Sequence, residues 1–396
     1  MNEFLSEKVK ALKPSGIRKF FDIVKEIPGA ISLGVGEPDF ETPYHIREAG
    51  IQALQAGKTF YTSNSGLMEL RKAVSDFTKR RTGLTYDPAS EIMLTVGGSE
   101  AIDVALRTII NPGDEVIYIQ PSYVSYLPCI LLADGVPVPI ELKAENRFRL
   151  TREELEAAIT PKTKALILSF PNNPTGAIME KEDLEAIVDV IKEHHILVIS
   201  DEIYSELTYG KEHVSIASLP GMKEYSIVIN GFSKGFAMTG WRLGYALGNK
   251  EILKQMIKIH QYAIMCAPTV SQYAAIEAMY NGDQDVIYMR ESYNQRRRFL
   301  YHELQRLGLP CFLPEGAFYM FPDIREFGMT SEDFALDLLK EEKVAVVPGS
   351  AFGDCGEGFI RISYAYSIEE LKEALLRIER YLNRKRSQKT ESQKQV

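Results

Sequence analysis

Ser233-Lys234 and Arg242 stand on one stretch between two apolar runs, Ile227-Val228-Ile229 and Leu243 to Leu247. A lysine amine attacks a carbonyl carbon once its proton is lost, and a guanidinium holds an anion. A loop between two strands is where such groups are commonly presented, although a single lysine in a turn is ordinarily a solvated one. Three other stretches have matching chemistry. Val96-Gly97-Gly98-Ser99-Glu100-Ala101 passes from an apolar run directly into a helical pattern. It is either a glycine turn chosen for geometry or a set of bare N–H groups at a helix start that holds an anion. Ser169-Phe170-Pro171-Asn172-Asn173-Pro174-Thr175-Gly176 is either a stiff turn or a platform that presents an amide at a strand end. Asp201, immediately after Leu197 to Ser200 and three residues before Tyr204, is either a cap or a fixed anion. Such an anion would favour the protonated form of a pyridine nitrogen. Arg361, among apolar neighbours in Ile360-Arg361-Ile362-Ser363, is suited to an inter-domain ion pair or to a substrate carboxylate. Together, an anion cradle (Gly98, Ser99), an amide (Asn173), a carboxylate with a phenol (Asp201, Tyr204) and an amine with a guanidinium (Lys234, Arg242) fit a phosphorylated pyridine aldehyde.

These residues need a scaffold that brings distant strand ends together. Apolar runs at Glu91 to Val96, Glu115 to Ile119, Val136 to Leu142, Ala165 to Phe170, Leu197 to Ser200, Ile227 to Ile229 and Leu243 to Leu247 alternate with helical patterns at Glu100 to Ile110, Leu150 to Ile159 and Lys181 to His194. Several runs are apolar throughout, as in strands buried on both faces. The alternation predicts an α/β fold with a mostly parallel sheet covered by helices. Ahead of it the pattern predicts a short helix at Ile17 to Lys25, a strand breaking at Gly34 to Asp39, and helices at Tyr44 to Ala56 and Leu67 to Arg81. After it come long helices at Glu251 to Met279 and Asp285 to Leu307. Strands follow at Ala317 to Pro322, Val344 to Val347 and Phe359 to Tyr364, with helices at Ser331 to Lys343 and Ile368 to Arg384. This end reads as a smaller α+β domain. Capping boxes are expected at Thr151 with Glu154 and at Ser367 with Glu370.

The 396 residues exceed one ordinary core, and the net charge of −8 without a basic stripe argues against nucleic acid as a partner. The four cysteines are scattered and form neither a metal-binding pattern nor a disulfide framework, so no metal is expected and a cytoplasmic location is. No apolar run approaches the ~20 residues needed to cross a membrane. Met1 to Lys13 has no apolar core of a signal peptide. Gly34-Val-Gly36 does not complete a dinucleotide fingerprint, and no Gly-Lys-Ser/Thr follows Gly97-Gly98.

Ordered along the chain, Gly34-Val-Gly-Glu-Pro-Asp-Phe40, Tyr61, Gly97-Gly98-Ser99, Pro171-Asn-Asn-Pro-Thr-Gly176, Ser200-Asp-Glu-Ile-Tyr204, Ser233-Lys234, Met238-Thr-Gly-Trp-Arg242, Pro348-Gly349 and Arg361-Ile-Ser-Tyr364 resemble the class I/II pyridoxal-phosphate aminotransferases of fold type I. The resemblance is to the branch with bacterial aspartate and archaeal aromatic aminotransferases, from about Ser15 to Leu382. It implies a large seven-stranded α/β/α domain at residues 46–283 and a smaller α+β domain at 284–384. An N-terminal arm at 1–45 would pack on the latter, and 385–396 would be a flexible tail. It implies pyridoxal 5′-phosphate, with Lys234 the Schiff-base lysine and proton carrier, Asp201 the partner of the ring nitrogen, and Tyr204 and Asn173 the partners of O3′. Tyr123 would stack on the ring, while Gly98, Ser99, Ser233 and Arg242 would hold the phosphate. Arg361, Asn173 and the Gly36 backbone would hold the substrate carboxylate. Tyr61 would reach the partner subunit's cofactor in a homodimer. Ser99-Glu100 and Gly235 depart from the residues common in relatives.

The activity implied is transfer of an amino group from an L-amino acid (aspartate, aromatic, alanine or a diaminopimelate derivative) to a 2-oxo acid such as 2-oxoglutarate, by a ping-pong route. Arg18 and Lys13 are candidates for reading a distal carboxylate. A C–S β-lyase on the same scaffold is the alternative, and it would release pyruvate and ammonia from cystathionine without a 2-oxo acid. A cofactor-binding regulator would need an added DNA-binding module.

Overall fold

The computed structural model describes residues 4–12 and 27–394. The expected helix at Ile17 to Lys25 and the candidates Lys13 and Arg18 lie outside them. The large sheet has seven strands in the order β2-β8-β7-β6-β5-β3-β4, where β1 is Ile31–Ser32, β2 Ile92–Thr95, β3 Glu115–Gln120, β4 Val136–Glu141, β5 Thr163–Ser169, β6 Leu197–Asp201, β7 Ser226–Gly231 and β8 Gly244–Leu247. All neighbours are parallel except β8, which runs antiparallel to both β2 and β7. The expected α/β fold with a mostly parallel sheet is thus the one found.

Alternation along the strands decides which side chains reach which face. Ile167, Ile199, Ile227 and Ile229 pack with Ile102, Ala105 and Leu106 of the Gly97–Ile109 helix and with Leu253 and Met256 of the Lys250–Ala263 helix. Leu166, Leu168 and Val198 face the other way, onto Leu184, Ile187 and Ile191 of the Lys181–Glu193 helix. By the same alternation Asp201 belongs to the face of Ile199, and Ser200 and Glu202 to the opposite face. Ser169 pairs in register with Asp201, so both strand ends deliver a polar side chain to one place.

The remaining strands are short: β9 Tyr319–Met320, β10 Val344–Ala345, β11 Val347–Pro348 and β12 Ile360–Ser363. β11, β12 and β9 form an antiparallel sheet, and β10 pairs in parallel with β1. Their core joins Phe318, Phe334, Leu338, Ile362, Leu371 and Tyr381 to Leu33 and Tyr204. Both expected capping boxes form.

Three expectations change, and one helix is found where none was expected. Glu251 to Met279 is two helices, Lys250–Ala263 and Thr269–Asn281, because Met265 turns left-handed and Pro268 precedes the second. Val344 to Val347 divides between two sheets. Tyr126–Leu132 is a helix, with Pro128 in the first turn where no N–H is needed. The last helix spans Ile368–Lys394, through the region expected to fray. There Lys385 pairs with Asp337 at 2.5 Å, Arg386 with Glu326, and Lys389 donates to the Glu326 carbonyl. No helix among the described residues is long and apolar enough to cross a membrane.

His45, near the start of the Tyr44–Gln55 helix, joins two others: Nδ1 lies 2.7 Å from Glu277 Oε1 and Nε2 2.9 Å from Asp285 Oδ2. Partial burial pushes its proton affinity down, but the two carboxylates outweigh this and raise its pKa above the ordinary 6.5. A raised histidine stabilises the fold fully below the unfolded-state value, and the contribution is lost as pH rises through the folded one. His45→Gln should therefore cost stability at pH 5.5, by about 1 kcal/mol or less at this solvent-screened position, and almost none at pH 9. Urea unfolding of both proteins at the two pH values checks this; an equal deficit at both would exclude the ionic contribution.

Candidate active site

A cavity of about 380 Å³ opens at the C-terminal ends of β5 and β6. Gly36, Gly98, Ser99, Tyr123, Asn173, Asp201, Tyr204, Ser233, Lys234, Arg242 and Arg361 all line it. Among the expected site residues that are described, only Tyr61 lies elsewhere. Its ring is 79% exposed, in a surface depression with Phe60, Cys266 and Pro268.

The anion cradle is the first turn of the Gly97–Ile109 helix. Gly97 has φ 77°, and a Cβ there would lie 2.7 Å from Arg242 Nη2. A Cβ on Gly244 would lie 2.6 Å from the Gly97 carbonyl carbon, so β8 also needs glycine to approach the turn. Arg242 itself is left-handed at φ 52°, which costs a non-glycine residue about 1 kcal/mol or more. Its Nη1 donates to the Thr239 carbonyl at 2.9 Å. Backbone N–H groups, a helix dipole and a guanidinium thereby converge where Ser99 is exposed to the cavity.

Lys234 is half-buried, and its Nζ donates to the Gly36 carbonyl at 2.6 Å. That carbonyl belongs to the strap after β1, where a Cβ on Gly36 would meet Tyr319 Oη at 2.5 Å. Removal from bulk water lowers the lysine pKa to about 8; Glu37 and Asp201 oppose the shift while Arg361 and Arg242 reinforce it. A free amine is then present in quantity near neutral pH.

Asp201 is 5% exposed. Its Oδ2 accepts from Tyr126 Oη at 2.7 Å and its Oδ1 from the Ile203 N–H at 3.2 Å. Burial raises its pKa, while these two donors pull it down. Tyr126 Oη is also 2.8 Å from Ser169 Oγ. Tyr204 Oη and Tyr319 Oη are 2.7 Å apart, and the Tyr123 ring meets Tyr126 edge-on at 5.7 Å.

Arg361 is 2% exposed and its guanidinium stacks 4.4 Å from the Tyr319 ring centre. Nη1 donates to Asn173 Oδ1 at 2.8 Å and Nη2 to the Gly34 carbonyl, while Nε is buried without a partner. Among the described residues Arg361 forms no ion pair, and its hydrogen-bond partners there are neutral. A buried guanidinium of this kind has unused capacity for an anion.

Sequence reasoning missed Tyr126, Tyr319 and Ser169. Tyr126 stands three residues after Tyr123, at the start of the Tyr126–Leu132 helix. Tyr319 carries no local signal, because its role comes from packing against Tyr204 and Arg361.

The donor set fits pyridoxal 5′-phosphate. Among the described residues the cavity wall has three cations, Lys234, Arg242 and Arg361, against two carboxylates, Asp201 and Glu37. That excess has the sign that attracts a phosphate or a carboxylate. No cluster of metal-ligating residues occurs among the described residues.

Known proteins support the same assignment. The pattern of the family described as aminotransferase class I and II matches residues 28–378. Aromatic-amino-acid aminotransferase 2 of Thermococcus litoralis is 46% identical, over 96% of this chain and 99% of that protein. The aspartate aminotransferase of Pyrococcus abyssi is also 46% identical over the same shares. The crystal structure of an aromatic aminotransferase from Pyrococcus horikoshii superposes with a TM-score of 0.89 at 46% identity, covering 93% of this chain and 99% of the other. These relatives support aminotransfer and give no support to the C–S β-lyase alternative. The chain belongs to the class I and II aminotransferase family and is a pyridoxal-phosphate-dependent enzyme that acts on amino acids and 2-oxo acids.

Proposed function

We propose that this enzyme transfers the amino group of an L-amino acid, aspartate and aromatic amino acids among them, to 2-oxoglutarate by a ping-pong route. The observation that carries the reading is one cavity shared by a lysine with a pKa near 8, a buried carboxylate and a helix N-terminus faced by an arginine.

When bound, pyridoxal phosphate supplies an aldehyde for the substrate amine and a ring that accepts electron density from the substrate Cα. Lys234 would anchor it covalently at rest. Freed when substrate takes its place, its Nζ would be the base that carries the substrate Cα proton. Asp201, whose pKa is raised by burial, would hold the proton on the ring nitrogen and would be favoured as the carboxylate by that positive charge. The N–H groups of Gly98 and Ser99, the hydroxyls of Ser99 and Ser233 and the Arg242 guanidinium hold the phosphate. Tyr123 stacks on the ring. Tyr204 and the Asn173 amide hydrogen-bond O3′, with Tyr319 orienting Tyr204. Arg361, aided by Asn173 and the Gly36 backbone, binds the substrate carboxylate.

All three cavity cations thereby have roles at the cofactor or the α-carboxylate. A distal carboxylate would be read by the N-terminal arm, where Arg18 and Lys13 stand, or by a second subunit. The homodimer we propose draws on Phe60, Tyr61 and Tyr262, which are 82%, 79% and 87% exposed. Aromatic surface of this kind suits a second copy, in which Tyr61 would reach the partner subunit's phosphate. The four cysteines are free, which suits a reducing cytoplasm. The division we propose is an arm at 1–45, a cofactor domain at 46–283 and a small domain at 284–384.

Two experiments test this. Rapid mixing of the holoenzyme with single amino acids should convert the cofactor to its amine form, seen by absorbance, for aspartate or aromatic donors. Lys234→Ala should slow that half-reaction by about a thousandfold or more; conversion at the wild-type rate would sink the assignment of Lys234. In cofactor-free protein, carbamylation of Lys234 followed by peptide mass spectrometry should rise with a midpoint near pH 8. A midpoint at the ordinary lysine value would mean that its environment does not activate it.

A further inference from the structure

Asp201 ends β6 on the cofactor face of the sheet, and the next residue, Glu202, points to the opposite face. A second cavity of about 390 Å³ lies there, with Glu202 and His213 in its wall. Glu202 is 3% exposed. Its Oε1 accepts from Ser200 Oγ at 2.9 Å and Ser215 Oγ at 2.7 Å, and its Oε2 lies 2.8 Å from His213 Nε2. Its backbone N–H donates to the Ile229 carbonyl of β7 at 2.8 Å, so the residue is fixed to the sheet that carries Asp201. The His213 side chain is 13% exposed. The mechanism above uses neither residue.

A carboxylate held this far from water, one peptide from Asp201, imposes a negative potential on it. The other charged groups around this cavity are mostly paired among themselves. Arg81, from the Met68–Thr82 helix, bonds Glu206 of the following loop and Asp283 at the start of the Asp283–Arg306 helix. Lys211 bonds Glu180 and Glu315. Arg80, Glu212 and Arg290 stand on the rim, and Tyr86 and Tyr245 complete the wall. On the cofactor face Asp201 meets the Tyr126 hydroxyl, with Lys234, Arg242 and Arg361 across the cavity. His213 meets Glu202 directly through its ring Nε2.

We propose that His213 is a positioning residue for the reaction: by hydrogen-bonding Glu202 it offsets buried negative charge behind Asp201, and so tunes how firmly Asp201 holds the proton of the cofactor's ring nitrogen. The proposal rests on the reading of Asp201 as the ring-nitrogen partner. It makes the Glu202–His213 pair a charge reservoir whose two members act in opposite directions on the cofactor.

The readout is the pH midpoint of the holoenzyme's visible absorbance, which follows the proton shared by Lys234 and the cofactor. His213→Ala leaves Glu202 with an unpaired oxygen and should move the midpoint up by about half a pH unit or more. Glu202→Gln removes the charge, keeps the shape, and should move it down by a similar amount. In the double variant the histidine has no charge left to offset, so the midpoint should match that of Glu202→Gln alone. His213→Gln, which retains a donor, should return the midpoint toward the wild-type value. Shifts of the same sign in the two single variants would indicate a packing defect and overturn the proposal. So would unchanged midpoints in both while Asp201→Asn shifts its own. An unchanged midpoint in Asp201→Asn as well would overturn the ring-nitrogen reading and this proposal together. If His213→Ala does not fold, the isosteric Glu202→Gln decides the sign alone.

Discussion

Two formal charges of opposite sign, Asp201 and Arg361, are buried in the wall of one cavity, and neither has an ion-pair partner among the described residues. Asp201 is satisfied by a phenol and a backbone N–H; Arg361 is satisfied by an amide and a carbonyl, with one nitrogen left over. Burying an ion without a counterion is expensive in any fold. The cost is consistent with a protein that binds a cofactor bringing a protonated ring nitrogen to one and a substrate bringing a carboxylate to the other.

The rest of the architecture follows from keeping that cavity open. A parallel sheet aligns the C-terminal ends of β5 and β6, and its register sets Ser169 beside Asp201. The antiparallel β8 lets Gly244 touch Gly97, which presses the helix start against Arg242. From the far side the small sheet brings Tyr319 and Arg361, and the strap after β1 brings the Gly36 carbonyl to Lys234. Each contact joins segments far apart in sequence, so the chemistry depends on the whole fold rather than on one motif.

Much of this was legible before any coordinates. Motifs at Gly97-Gly98-Ser99, Asn173, Asp201 and Ser233-Lys234 lie at strand ends or helix starts, where local signals are strong, and the apolar strands announce a sheet buried on both faces. Less visible were contacts that only tertiary packing creates. Tyr126 bonds a residue 75 positions away and Tyr204 one 115 positions away, and no periodicity encodes such partners. The break between the Lys250–Ala263 and Thr269–Asn281 helices was concealed by continuous helical composition on both sides, although Pro268 marked it. The last helix outran its apolar pattern because ion pairs to Asp337 and Glu326, not burial, hold its end. Tyr61 was legible as a motif residue, yet a single chain gives it nothing to touch in the cavity.

We propose Lys234 as the covalent anchor of the cofactor. Borohydride reduction of the holoenzyme fixes that linkage, and peptide mass spectrometry locates it. The account predicts a single reduced adduct on the peptide that contains Lys234, lost when an amino acid converts the cofactor before reduction. An adduct on another lysine, or one that survives such conversion, would contradict it.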